Sequence, residues 1–553
     1  MEKRLVLFFV LVALTMWISQ KFLFNRYTAP ARTEEQIVRR DTIPETPDTI
    51  DYEETIQHEY ITPAVSLSPE EESRTSDVES IYETLIPGFQ PSPDETVTVV
   101  TESLVLTVAS RGGKLIGWEL PEYSDYLGDQ VSLFPESYEG AFQLSVRKGG
   151  QVYNLHDLPF RLDVERSAGS GRAARIIWTA RGDGGCGIQK ILDIPDDGYT
   201  CRLDMRSHKL GIAGYELTFN PGLQVTEKNQ KDDLSYFSLR AGIVGDPWNK
   251  KLGKIKEENP EVREGTLDWV GLRTKYFLAA VIPDSVSWHR IHSLGGSNRG
   301  EIGFTMEGLA AGGTMSEAFT VYLGPLEYDL VAPLGRGVTH AVDMGNRYLR
   351  PIGRVILLFL TKVHDVVPNY GIVIILFAIT MKLILHPLTR KSMQSMKQMQ
   401  ELQPKLAAIK EKYKNNQQKQ QEETMKLYRE HGVNPLGGCL PLVVQMPIFF
   451  AMYPILRSSI YLRGATFIPG LITDLSQPNY GLPILMGITQ FFSSRMMATG
   501  NQNKALTYGM PIFMTYIFFR FPSGLVLYWL IFNLLQIGQQ LLQKRATRAS
   551  GSG

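Results

Sequence analysis

At 553 residues the chain has room for several domains, and its formal net charge of zero excludes the basic stripe that a nucleic-acid binder needs. That neutrality is an average over an acidic front and a basic rear. Three cysteines exclude a disulfide scaffold.

Residues 4–24 (RLVLFFVLVALTMWISQKFLF) follow Lys3 and run apolar for about the length of one bilayer crossing. A cleavable signal would have a shorter apolar core and a small-residue cleavage site. The stretch therefore reads as a retained anchor (domain 1–24) with its N-terminus in the cytoplasm. Residues 25–92, with runs such as PETPDTIDYEET, are too polar to offset ordering entropy and are expected to form a disordered acidic tether.

From 93 to 335 the texture becomes short alternating runs between Gly, Asp, Asn and Pro, among them AFQLSVRKG, ARIIWTARG and GIQKILDIPDDGYTCRLDMR. Period-two alternation at this spacing predicts a large antiparallel β-sandwich. His156, His208, His289 and His292 show no metal spacing, and no catalytic motif accompanies them. Cys186 and Cys201 fall where a bridge is chemically allowed, but the turn at Pro195–Gly198 pairs neither with the other. Cys439, in a span, reads as a small buried hydrophobe.

Residues 342–365 carry an apolar run too short to span among Arg347, Arg350, Arg354 and Lys362, as expected of an amphipathic interfacial helix. Further apolar stretches at 369–389, 436–457, 482–497, 506–519 and 523–543 predict five spans, two of them short for a core of about 30 Å. Residues 390–432 are basic, with a turn near Asn415, and predict a helical hairpin; Met393, Met396 and Met399 form a stripe that either packs its seam or offers an adaptable docking surface. Lys504, Lys544, Arg545 and Arg548 lie on the hairpin's side of the membrane, which places hairpin and C-terminus (544–553) in the cytoplasm and the β-domain outside. The closing Gly551–Gly553 reads as an added scar.

One fixed charge, Lys382, interrupts the span at 369–389, at a cost of about 3 kcal/mol on insertion scales. Arg390 is about eight residues away, roughly 12 Å along a helix, so snorkelling leaves the ammonium short of the interface. Gln445, Thr489, Gln490, Asn533 and Gln536 add polar groups mid-span. One or two would serve as glue between helices; several, with a charge, point to a shared hydrated groove. Arg457, Arg495 and Arg520 read as interfacial anchors. A polar groove beside short, bilayer-thinning spans would lower the barrier for moving a hydrophilic polypeptide segment partway in. The substrate's apolar helix would leave along Met486, Phe449, Ile517 and Trp529. No motif for energy coupling, catalysis or cofactor binding was found, which leaves hydrophobic partitioning as the driving force, at about 25 cal/mol per Å².

The runs NYGIVIILFAITMKLILHPLT, ELQPKLAAIKEKY, HGVNPLGGCLPLVVQMPIFFAMY, LPILMGITQFF and FPSGLVLYW closely resemble the YidC branch of the YidC/Oxa/Alb membrane-protein insertases over about 350–545. LDWVGLRTKYFLAAVIP and VYLGPLEYDL more weakly resemble the end of the family's large periplasmic domain. The resemblance implies a multi-domain inner-membrane protein: an anchor span and five-span helical core, both termini cytoplasmic, and a periplasmic all-β supersandwich similar to galactose mutarotases. It implies a cytoplasm-open groove, whose charge is usually Arg and here is Lys382. It implies substrate contacts at Ala378, Phe449, Met486, Ile517 and Trp529. Implied partners are nascent inner-membrane proteins, the Sec translocon, membrane lipids and, through the hairpin, ribosome or targeting machinery; no cofactor is implied.

Three readings compete with an insertase. A membrane-anchored carbohydrate-binding or carbohydrate-active protein would work through the β-domain. A small-solute transporter would need a polar path open on both sides, whereas the FPSG side is hydrophobic. A structural scaffold leaves the cost of Lys382 unexplained.

Overall fold

The computed structural model describes residues 81–135, 138–166, 171–244, 246–255, 260–285, 287–295, 301–345, 348–433, 440–497 and 508–550. The expected anchor over 4–24, and the tether as far as residue 80, lie outside the described residues. Two compact units divide the chain at Gly324 and Pro325.

The first unit is two antiparallel β-sheets. One runs through Thr96–Val100, Val105–Ala109, Lys114–Ser124, Ala141–Lys148, Gly214–Phe219, Ile302–Leu309 and Trp288–Gly295. The other contains Arg161–Arg166, Arg172–Arg181, Gly187–Pro195, Thr200–His208 and Ser316–Pro325. The long strand Val262–Arg273 joins them: its first residues pair with Trp288–Gly295 and its last with Ser238–Ile243 and Phe277–Pro283. Gly265, at φ 151°, sits near the crossover, in a backbone region that L side chains rarely adopt. Alternation decides the faces: Ile176, Trp178 and Ala180 point inward, as do Ile188, Leu192 and Ile194. The sheets meet where Trp178 Nε1 donates to Ala109 O at 2.9 Å.

Residues 81–86, expected to lie in the tether that runs to residue 92, belong instead to the β unit. A helical turn at 81–85 seats Tyr82, Leu85 and Ile86 in the β unit, and Lys148 Nζ donates to Leu85 O at 3.3 Å. Their i, i+3, i+4 spacing is the apolar face of a helix. Cys186 and Cys201 are free and buried. Gly187 pairs with His208 and Arg202 with Asp193, so the two cysteines flank opposite ends of one hairpin.

The second unit is helical: α1 (Arg350–His364), α2 (Tyr370–Ile384), α3 (His386–Glu401), α4 (Gln403–Lys412), α5 (Gln417–Glu430), α6 (Leu440–Ser458), α7 (Gly481–Met497), α8 (Met510–Phe518) and α9 (Ser523–Ser550). Asn369 caps α2, its side chain accepting from Ile372 N at 3.1 Å. Helices α2 and α3 meet at a 58° bend. The first arm of the hairpin is itself broken at Leu402, because Pro404 cannot donate to the preceding turn. Asn416 caps α5 by accepting from Lys419 N at 3.0 Å.

Helix α9 packs chiefly on α7 and α2. Its start is tied to the 459–480 connector, where Ser523 N donates to Gln477 O at 2.8 Å and Gly524 N to Leu475 O at 2.9 Å. Among the described residues Ser523–Gln543 is the one helix long and apolar enough to cross a membrane alone; α2 and α3 pass only as a bent pair. Two of the shorter helices nonetheless carry exposed apolar faces. Ile372, Leu376, Ile379 and Leu383 form an exposed stripe on α2, and Ile484, Leu485, Ile488 and Phe492 form another on α7. Exposed apolar faces at helical spacing suit lipid rather than water.

Candidate functional site

Polar side chains inside the helical unit gather around α9. Trp529, Asn533, Gln536 and Gln540 recur at i, i+4, i+7 and i+11 and so share one face. Trp529, Asn533 and Gln540 are buried. Helix α2 brings Lys382 to this face in its last turn. Its ammonium donates to Gln536 Oε1 and lies 4.6 Å from the centroid of the Phe532 ring. Only 7% of Lys382 is exposed. A cation in the last turn also suits the partial negative charge of the helix C-terminus.

Helix α7 contributes Gln490, whose Oε1 accepts from Trp529 Nε1 at 3.3 Å, and buried Thr489, which donates to Met486 O at 2.7 Å. Helix α6 contributes buried Gln445, whose Nε2 lies 3.5 Å from Tyr528 Oη. Among the described residues, Asn533 Nδ2 and both amide atoms of Gln540 are buried without a protein partner. Such groups call for water or an incoming polar chain.

Lys382, Gln490, Trp529 and Asn533 are thus brought together along α9, with Gln445 reaching the same helix one residue away at Tyr528. Ala378, Phe449, Met486, Ile517 and Trp529 are not at the unit's surface. They lie in its apolar core, none more than 6% exposed. The Trp529 ring meets Phe449 edge-on at 5.5 Å and Phe518 at 5.5 Å. Met393, Met396 and Met399 fall on α3.

The β unit holds a buried cation that the sequence analysis passed over. Lys190 is in phase with the inward-facing Ile188, Leu192 and Ile194, and its ammonium donates to Gly113 O and Phe142 O of the facing sheet. Burial pushes it down to about 7. The alternation itself was the available signal. The histidines do not converge. His156 reaches Ser145 Oγ at 3.5 Å, His289 reaches Tyr215 Oη at 3.2 Å, and His292 meets Glu307 at 2.5 Å. Arg147 bridges Glu307 and Glu216 at 3.4 and 3.1 Å. Among the described residues no group of three or more His, Cys, Asp or Glu could hold a metal ion.

Comparison with known proteins covers both units. The family model described as 60Kd inner membrane protein matches residues 362–550, and that of the YidC periplasmic domain matches 96–358. Membrane protein insertase YidC of Syntrophus aciditrophicus is 29% identical over 560 residues, spanning 98% of this chain and 99% of that one. Membrane protein insertase YidC of Chloroherpeton thalassium is 32% identical over 495 residues, spanning 83% of this chain and 84% of its own length. A crystal structure of an active YidC insertase with its first transmembrane domain resolved aligns at 20% identity and a TM-score of 0.35, covering 85% of this chain and 98% of that one. With both units matched, and relatives aligned over 83% and 98% of its length, the chain belongs to the YidC family of membrane protein insertases, in the form that carries a periplasmic domain.

Proposed function

We propose that this chain inserts and helps fold inner-membrane proteins, alone or beside the Sec translocon, through a groove open to the cytoplasm and centred on Lys382. The observation that carries the proposal is a buried ammonium inside the helical unit, partnered by a neutral amide and an aromatic ring rather than by a carboxylate. Those partners leave its charge uncancelled. A translocated segment bearing carboxylates would supply the missing counter-charge and gain a charge-assisted contact at low dielectric.

The unpartnered amides of Asn533 and Gln540 would serve the same segment's backbone. On this reading α2, α6, α7, α8 and α9 are the five spans of the core, the segment over 4–24 is the anchor, and both termini are cytoplasmic. The short α8 thins the bilayer beside the groove. The α3–α5 hairpin receives the substrate, with ribosome or targeting machinery, and the β unit is a periplasmic supersandwich. The substrate's apolar helix reaches Ala378, Phe449, Met486, Ile517 and Trp529 only as α7 and α8 part from α9, since these residues are otherwise packed.

Insertion assays of Lys382 variants test this. Lys382→Arg keeps the charge and supports insertion. Lys382→Ala and Lys382→Glu impair substrates with acidic translocated segments more than those with neutral ones. Normal insertion of acidic segments by Lys382→Glu would remove the groove charge from the mechanism.

A further inference from the structure

A lysine ammonium is a compact point charge on a flexible stem, without the rigid fork by which a guanidinium fixes itself. If such a charge is to act at a defined place, something must hold it. Helix α9 supplies that holder. Phe532 and Gln536 are four residues apart, so both project from one face toward the last turn of α2. The Gln536 carbonyl oxygen accepts from the ammonium, and the ring face of Phe532 lies 4.6 Å from it. Both attract a cation, and neither neutralises it. A carboxylate at 536 would bind the ammonium more tightly and cancel the charge.

We infer that Phe532 and Gln536 form a neutral receptor for the Lys382 ammonium, with Gln536 a positioning residue that fixes where the groove presents its positive charge. The inference rests on the groove reading above and adds to it the means by which a lysine serves there.

Three variants of the full chain, compared with Lys382→Ala in vesicles, test it. The readout is the ratio of insertion of an acidic-segment substrate to that of a neutral-segment one, at matched abundance of folded protein. Gln536→Glu is expected to lower the ratio as far as Lys382→Ala does, because the ion pair quenches the charge. Gln536→Leu is expected to lower it by about tenfold to a hundredfold, the scale of one hydrogen bond to a charged group. The exchange Lys382→Gln with Gln536→Lys carries the cation on the facing helix and is expected to restore the ratio. A residue that merely packs α9 against α2 would be rescued by neither charge nor exchange. If Lys382→Ala lowers the ratio while Gln536→Glu and Gln536→Leu both leave it at the parent value, the receptor is refuted and the groove reading stands. If Lys382→Ala itself leaves the ratio unchanged, the groove reading fails first.

Discussion

Trp529 and Gln490 join α9 to α7 through an indole-to-amide hydrogen bond of 3.3 Å, and the same indole packs edge-on against Phe449 of α6. One side chain therefore belongs at once to the polar face of α9 and to the apolar core of the unit. The two roles separate by substitution. Trp529→Phe keeps most of the packing and frees the Gln490 amide, so folded protein is retained while insertion of polar segments changes. Trp529→Ala opens a cavity costing about 3–5 kcal/mol and lowers the yield of folded protein. Detergent melting curves beside insertion assays distinguish the two.

The approach of α7 to α8 depends on Gly487. A Cβ built there meets Thr515 Oγ1 at 2.1 Å, which no ordinary contact tolerates. Gly487→Ala is expected to destabilise the pair by about 1–3 kcal/mol, the usual scale of overpacking. Adding Thr515→Ala removes the clashing hydroxyl and leaves a contact near 3.2 Å to its Cβ, so the double variant recovers most of the lost Tm.

Lys190 couples the stability of the β unit to pH. Its pKa falls from 10.5 toward about 7 in the folded chain because burial disfavours the ammonium. Between these values the unfolded chain binds more protons than the folded one, so stability rises as pH rises from about 7 toward 10.5 and is lost again on the way down. Hydrogen exchange of the Gly187–Pro195 strand in the full chain, corrected for intrinsic rates, reads this out. Lys190→Met is expected to flatten the profile in that window. An unchanged slope would assign it to other groups.

Cys186 and Cys201 are expected to stay reduced in the oxidising compartment proposed for the β unit. They flank opposite ends of one hairpin, about 25 Å apart at roughly 3.3 Å per residue. Burial also pushes Cys201 up to about 12. Mass spectrometry should find no bridge between them, and thiol labelling should need unfolding.

What the sequence made legible follows from the strength of local signals. Lys382 stood out because one charge in an apolar run has few explanations, and Gln445, Gln490 and Asn533 stood out for the same reason. Their pairings did not. Whether Lys382 meets Gln536, or Trp529 meets Gln490, depends on how α2, α7 and α9 rotate about their axes, and no local pattern sets that rotation. Met486, Phe449, Ile517 and Trp529 read from the sequence as an exit toward lipid, and in the fold all four are buried in the core. Single apolar residues in apolar helices carry little information about which way they face. Three features were legible and were missed. Pro404 marks the break between α3 and α4, the spacing of Tyr82, Leu85 and Ile86 marks the end of the tether, and the phase of Lys190 marks a core position.

The most direct measurement is site-specific photocrosslinking from position 529 while a short single-span membrane protein is being synthesised. Ile488, half exposed on the outer face of α7, serves as the control. The account predicts crosslinks from 529 that appear as the nascent apolar helix emerges and fade once it is released, with few from 488. Silence at 529, with the protein folded and abundant, or equal labelling from 488, would contradict passage of the substrate along α9.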